Sequence, residues 1–153
     1  MAEPALRDIH GTPWPWPPVV SGERAAWLVF LPGAFTPVCA GELAWLGPLA
    51  VELAAEDVGL RVVSCDAAPV LREVADRTGL PAECVLLSDF WPHGAAAARF
   101  GLLDETTGRP RRVSVLVDES GTELVRVRPG EPGGPRTAQA HRRAAEGALG
   151  RRR

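Results

Sequence analysis

The chain has 153 residues, a net charge of −2 and a sequence pI of about 5.9. That length suits one domain with a sizeable core, and the charge balance offers no overall basic footprint for nucleic acid. All 17 basic residues are Arg, and Lys, Tyr and Asn are absent, a bias of coding rather than of chemistry. No apolar run approaches the ~20 residues of a membrane span, and the N-terminus lacks the apolar core of a leader, so a cytoplasmic, membrane-free protein is expected. Cys39, Cys65 and Cys84 are an odd set without a C-x-x-C pair. This argues against a disulfide scaffold, a zinc cluster and a dithiol oxidoreductase.

Residues 1–26 are the least regular. Leu6 to Thr12 suits a short strand end and turn, and Pro13-Trp14-Pro15-Trp16-Pro17-Pro18 cannot be helix and is poor strand, since each proline removes a donor. This segment is expected to be an apolar strap packed on the body, with a lid over a groove or a Pro/Trp ligand as the alternatives. Trp27 to Leu31 reads as a fully buried strand. After it, Leu43, Trp45, Leu46, Leu49 and Leu53 recur at helical spacing, giving a helix over residues 37–56 that Gly47-Pro48 should kink or split. Leu60 to Asp66 is a second strand, with Cys65 expected in the core. Pro69 to Arg77 is a helix ended by Gly79, and Val85 to Ser88 a third strand. Asp89 to Gly94 is a loop and Ala95 to Phe100 a short helix. Val113 to Asp118 and Thr122 to Arg128 form a hairpin, and residues 137–149 a terminal helix. Arg142, Arg143 and Arg151 to Arg153 read as a solvated basic end. This order calls for an α/β fold, a central mixed sheet flanked by helices, compatible with a thioredoxin-like fold.

Between the first strand and its helix lies Pro32-Gly33-Ala34-Phe35-Thr36-Pro37-Val38-Cys39-Ala40-Gly41-Glu42. Pro37 suits the first helical position, Thr36 then falls at the N-cap, and Cys39 lies in the first turn. A thiol there feels unpaired backbone N–H groups and the positive end of the helix dipole, both of which favour thiolate. The pattern is that of a cysteine nucleophile.

The word P-x-x-x-T-x-x-C, here Pro32, Thr36 and Cys39, followed by Glu42, resembles the peroxidatic motif of peroxiredoxins. Two further words agree with it: residues 86–94, ending Phe90-Trp91-Pro92-His93-Gly94, and residues 112–121, an arginine-led strand and turn. The first of these points to the one-cysteine, AhpE-like subgroup. The resemblance covers roughly residues 26–131 and implies a single thioredoxin-like domain over 27–153, preceded by a truncated Pro/Trp-rich strap at 1–26.

What the resemblance implies for the site is specific. Cys39 is the peroxidatic nucleophile, Thr36 holds the peroxide, and Arg112 supplies a forked cation for sulfur and peroxide oxygen. The backbone N–H groups of Val38 and Cys39 stabilise developing charge. Pro32 shields the thiolate, and Glu42 orients Arg112. Arg111 is the other candidate cation, but alternation places Arg112, Ser114 and Leu116 on one face and Arg111 on the other. Cys84 reads as structural, with a resolving role kept as the alternative, since Ala44 occupies a usual resolving position. His93, in the Trp-Pro-His-Gly word, belongs to the site rim or a dimer contact, or caps its loop, and Phe90 and Trp91 suit a homodimer contact. No prosthetic cofactor or metal is implied. The partners are a hydroperoxide and an external thiol such as mycothiol with a mycoredoxin, or thioredoxin. The expected function is a thiol-dependent peroxidase. The alternative is a repurposed member serving as a redox-regulated binding or chaperone-like protein, or as a biosynthetic tailoring protein, suggested by the altered N-terminus.

Overall fold

The computed structural model describes residues 2–132 and 134–150. The strands are β1 (Ala25–Phe30), β2 (Val58–Ser64), β3 (Cys84–Ser88), β4 (Leu103–Asp104), β5 (Arg109–Pro110), β6 (Ser114–Asp118) and β7 (Glu123–Val127). The helices are α1 (Pro37–Ala54), α2 (Ala68–Thr78), α3 (Ala95–Arg99) and α4 (Ala138–Leu149). Five strands form one sheet in the order β3-β2-β1-β6-β7, with β1, β2 and β3 parallel and β6 and β7 antiparallel, the mixed sheet expected.

Alternation along the strands divides two cores. Trp27 and Val29 of β1, Leu60 and Val62 of β2 and Leu116 of β6 point to one face, which α1, α2 and α4 cover. Leu28 and Phe30 of β1, Val63, Leu87, Val115 and Val117 point to the other, covered by α3 and the N-terminal segment. Because β1 is central and buried on both faces, it reads as an unbroken apolar run.

Helix α1 continues through Pro48 as a single element, so the expected split does not occur. Pro48 leaves one carbonyl without its donor, at a cost of ~3 kcal/mol. Its stripe Leu43, Leu46, Leu49, Ala50 and Leu53 is buried against the sheet, and each buried Leu contributes roughly 1.5–3 kcal/mol. Packing outweighs the lost bond. Gly79 caps α2 at a φ of 61°, as its position promised.

The strap is apolar packing, and it lies on the α3 face. Leu6 is buried, Trp14, Trp16 and Val19 pack on the second core, and Arg7 bridges to Ser88 at the edge of β3. The turn over Asp8 to Gly11 is also present, closed by Gly11 N donating to Asp8 O at 2.9 Å. Arg61, buried in β2, fastens the strap. Its Nε donates to Pro18 O at 3.1 Å, it pairs with Glu23, and its guanidinium lies 5.1 Å from the Trp14 ring. A small hairpin, β4–β5, interrupts the stretch before β6. It has two residues per strand, too few to show alternation, but Asp104 and Gly108 mark its turn. Asp104 Oδ1 accepts from Thr106 N at 2.9 Å, and Gly108 has a φ of 70°.

Candidate active site

The ladder between β1 and β2 runs one residue past the strand, where Leu31 N donates to Val63 O at 2.9 Å. The chain then turns at Pro32 and enters α1. Thr36 is the N-cap and Pro37 is in the first turn, as expected. The Thr36 hydroxyl does not cap the helix: Oγ1 donates back to Gly33 O at 3.0 Å. Ala40 N to Thr36 O, at 2.9 Å, is the helix-entry bond. The N–H groups of Val38 and Cys39 belong to the first turn, which has no intrahelical acceptors for them. Asp66, just beyond β2, ties the elbow down by accepting from Ala34 N at 3.0 Å and Ser64 Oγ at 2.8 Å.

Cys39 is fully buried, and so is Glu42 one turn later. Residues three apart are neighbours on a helix, so whatever Glu42 binds sits beside the sulfur's turn. Glu42 holds two arginines. Arg112 Nη1 donates to Oε1 at 2.6 Å. Arg136 Nη2 donates to Oε1 at 2.7 Å, while its Nε and backbone N donate to Oε2 at 2.9 and 2.8 Å. Burial pulls the Glu42 carboxyl up, but the hydrogen bonds and charge of Arg136, with the Arg112 bond, outweigh it and hold the group below the usual carboxylate range. Two cations against one carboxylate leave the cluster with one net positive charge.

Arg112 therefore joins the same cluster as Ser114, although it lies in a bend before β6 rather than in the strand itself. Its Nε is buried and has no hydrogen-bond partner among the described residues. Such an orphan donor is rare in a folded chain. Arg111 points away, 59% exposed, with Asp104 Oδ2 3.9 Å from its Nη1.

Arg136 and His141 were missed in the sequence. Arg136 lies two residues before α4, in a stretch that reads only as loop, and it is wholly buried. His141 is the one polar member of the inward stripe of α4, with Ala138 and Ala145, and that break in an apolar stripe was the available signal. It lies 4.9 Å from the Trp27 ring and 5.6 Å from Trp45, centroid to centroid. Burial pushes its pKa down to about 4, with the hydrogen bond to Thr137 O opposing and the Arg136 charge assisting.

A surface cleft of about 460 Å³ opens beside the elbow. Its walls are Pro32 through Thr36, then Cys65 and Asp66, then His93 with the β4–β5 turn at Thr107 to Arg109. Cys39 is not among the lining residues. His93 is on the rim, its Nε2 donating to Gly108 O at 2.6 Å. Gly94 behind it has a φ of 65°, a left-handed conformation that favours glycine, and a Cβ there would press on Leu103 Cδ1 at 2.6 Å. Phe90 and Trp91 are exposed, at 54% and 76%. The same loop contains a residue whose role was not foreseen: buried Asp89 caps α3, accepting from Ala96 N and Ala97 N at 3.0 to 3.1 Å. Burial pushes Asp89 up to about 6 against those two bonds.

Cys65 is corrected. It lies one residue beyond β2, where the ladder with β3 ends at Ser64, and it is half-buried in the cleft wall rather than in the core. Cys84 is buried at the start of β3, at the end of the sheet opposite the elbow, because the three parallel strands run toward the elbow from that end. Burial pushes both thiols up to about 12, with Asp89 and Asp66 adding to the effect at Cys65. Among the described residues no cluster of His, Cys, Asp or Glu has metal-binding geometry.

Residues 6–124 match the AhpC/TSA family. Alkyl hydroperoxide reductase E from Mycobacterium tuberculosis and from Mycobacterium bovis are each 37% identical over 100 residues, 65% of this chain and 64% of theirs. The chain thus aligns with under two thirds of the length of these relatives. Among solved structures, the peroxidoxin BcpB from Mycobacterium tuberculosis superposes with a TM-score of 0.76 at 26% identity, covering 95% of this chain and 90% of that one. Enterococcus faecalis AhpC gives 0.78 at 24%, covering 94% and 85%, a likeness of thioredoxin-like fold. The family match spans most of the chain and includes the elbow, Glu42 and Arg112. The chain belongs to the AhpC/TSA family of peroxiredoxins.

Proposed function

We propose that the protein is a thiol-dependent peroxidase with Cys39 as its nucleophile. The observation that carries this is the buried Arg112–Glu42–Arg136 cluster one turn from Cys39, net positive, with the Arg112 Nε donor unpaired. The Cys39 sulfur attacks the terminal oxygen of a hydroperoxide, forming S–O as O–O breaks. The departing oxygen takes a proton and leaves as water or alcohol, and Cys39 becomes a sulfenic acid. Arg112 faces the charge that moves from sulfur to the leaving oxygen, and the first-turn N–H groups of Val38 and Cys39 assist it. The Thr36 hydroxyl, beside the cleft and already donating to Gly33 O, offers its oxygen to the incoming O–H. Pro32, in the wall of the cleft, shields the thiolate from water. Since nucleophilicity falls with basicity, the rate comes mainly from positioning the peroxide.

An external thiol returns the enzyme to its start. It attacks the sulfenic sulfur, releasing water and forming a mixed disulfide, and a second thiol releases Cys39. A one-cysteine cycle is supported by the placement of Cys84 at the far end of the sheet and by the environments that keep Cys65 and Cys84 protonated. Mycothiol with a mycoredoxin, or thioredoxin, is the proposed reductant, a homodimer through Phe90 and Trp91 the proposed assembly, and the cytoplasm the proposed location. The strap, which motivated a binding or tailoring role, lies on the sheet face opposite α1 and leaves that alternative without a supporting observation. The test is peroxide consumption with a small thiol as reductant. Cys39→Ser should abolish it and Cys84→Ser should leave it nearly intact; turnover that survives Cys39→Ser would overturn the assignment.

A further inference from the structure

We infer that His141 is a positioning residue for the Cys39 site, a neutral hydrogen-bond acceptor that locks Ser114, and through it Arg136, Glu42 and Arg112. The inference rests on the peroxidase reading above and adds a residue to its machinery.

The direction of each hydrogen bond follows from the chemistry of its partners. His141 Nδ1 lies 2.7 Å from Thr137 O, and a carbonyl only accepts, so Nδ1 holds the proton. In a neutral imidazole the other nitrogen then has a free lone pair. Nε2 lies 2.8 Å from Ser114 Oγ, so the Ser114 hydroxyl must donate to it. That fixes the serine rotor and turns its lone pairs outward, where Arg136 Nη1 donates to Oγ at 3.1 Å. With Nη1 held by Ser114, the remaining edge of the Arg136 fork falls on Glu42, and the free side of Glu42 Oε1 falls to Arg112. The polarity runs one way from Arg136 to the Thr137 carbonyl, and the two links through Ser114 are buried, where a misdirected proton is costly.

Packing alone gives no reason for histidine at this position. The inward stripe of α4 meets Trp27 and Trp45, and leucine would fill such a place without a polar group to satisfy. A non-accepting residue would leave the buried Ser114 proton without the acceptor that fixes its rotor, beside an Arg136 that is already shared with Glu42. The hydroxyl would then be free to turn, its hold on Arg136 Nη1 would loosen, and with it the orientation of Glu42 and Arg112. Lysine or a protonated histidine would fail differently, by adding a charge next to Arg136.

The test compares His141→Leu, His141→Gln and Ser114→Ala with the parent chain in single-turnover oxidation by hydrogen peroxide. Peptide-resolved mass spectrometry of Cys39 sulfenic acid trapped by dimedone follows the reaction, and thermal melts report folding. Leu at 141 and Ala at 114 should slow Cys39 oxidation about tenfold or more, the scale of a misplaced catalytic group, while Gln, which restores an acceptor, should stay within about threefold of the parent. A parent rate in His141→Leu overturns the inference. So does a Gln variant as slow as Leu, because volume rather than an acceptor would then matter. If the Leu variant does not fold, Ser114→Ala decides by itself, and a parent rate there overturns the inference. A parent chain no faster than free cysteine fails earlier: it overturns the peroxidase reading and this inference together.

Discussion

Replacing Glu42 with glutamine should be the most damaging isosteric change in the protein. Glu42 has no solvent exposure and accepts four hydrogen bonds between 2.6 and 2.9 Å, three from Arg136 and one from Arg112. In Glu42→Gln the cluster passes from one net positive charge to two, and the amide NH2 is turned toward donors. Breaking a buried ion pair by removing one partner costs about 3–5 kcal/mol, because the surviving charge stays desolvated. For a domain with ~5–15 kcal/mol in total, that is a large share. At roughly 2–4 °C per kcal/mol, the melting temperature should fall by about 6–20 °C. Urea titration followed by far-UV circular dichroism gives the free energy, with an unchanged slope as the check on two-state behaviour. The double variant Glu42→Gln with Arg136→Met removes one cation as well and should regain at least about 1 kcal/mol over Glu42→Gln alone. A loss below about 1 kcal/mol for the single variant would refute the reasoning, since it would place the pair in effective contact with water.

Further outcomes follow from the other buried groups. The His141 pKa is lowered to about 4, so between 6.5 and 4 the unfolded chain binds a proton that the folded chain does not, and stability falls as pH drops through that window. Asp89 is raised to about 6, so between 6 and 3.8 the folded chain binds the extra proton, and stability rises as pH drops. The two effects oppose each other, so His141→Gln should lose about 2 kcal/mol less than the parent between pH 7 and 4.5, and Asp89→Asn about 2 kcal/mol more. Urea midpoints at both pH values measure this, and parallel shifts in all three proteins would contradict it. With both spare thiols held protonated, Cys65 and Cys84 should be alkylated by iodoacetamide at pH 7 far more slowly than free cysteine, with peptide mass spectrometry as the readout. A rapidly modified Cys84 would reopen its resolving role. Arg61→Leu strands Glu23 and frees the Pro18 carbonyl, so limited proteolysis should cut first within residues 13–22, where the parent resists.

Most of the sheet was legible because β1 and β2 are long, apolar and bounded by turn residues, whereas Arg111 and Arg112 fall in a bend before β6, where alternation no longer applies. The elbow was legible as well, since Pro37 at a helix start is a local rule. What escaped depends on contacts distant in the chain. Arg136 gives no local sign that it will meet Glu42, 94 residues away, and the Thr36 hydroxyl turns back to Gly33 although its position is that of a cap. Cys65 was misplaced because a strand's apolar run does not say at which residue its ladder stops. The strap's prolines excluded regular structure, but the face it covers is chosen by Arg61 and Arg99, whose guanidinium groups lie over Trp14 and Trp16. The split suggested by Pro48 was overruled by the buried stripe of α1.

The central claim is that Cys39 is activated toward peroxide by its surroundings. The most direct measurement is the second-order rate constant of reduced protein with hydrogen peroxide at pH 7, beside free cysteine and an organic hydroperoxide. Stopped-flow fluorescence serves, since Trp45 is on the Cys39 helix and in the same core. The expected rate is at least about a thousandfold above free cysteine, the minimum for a site that orients its reactants, and it is lost in Cys39→Ser. A parent rate equal to that of free cysteine would contradict the claim.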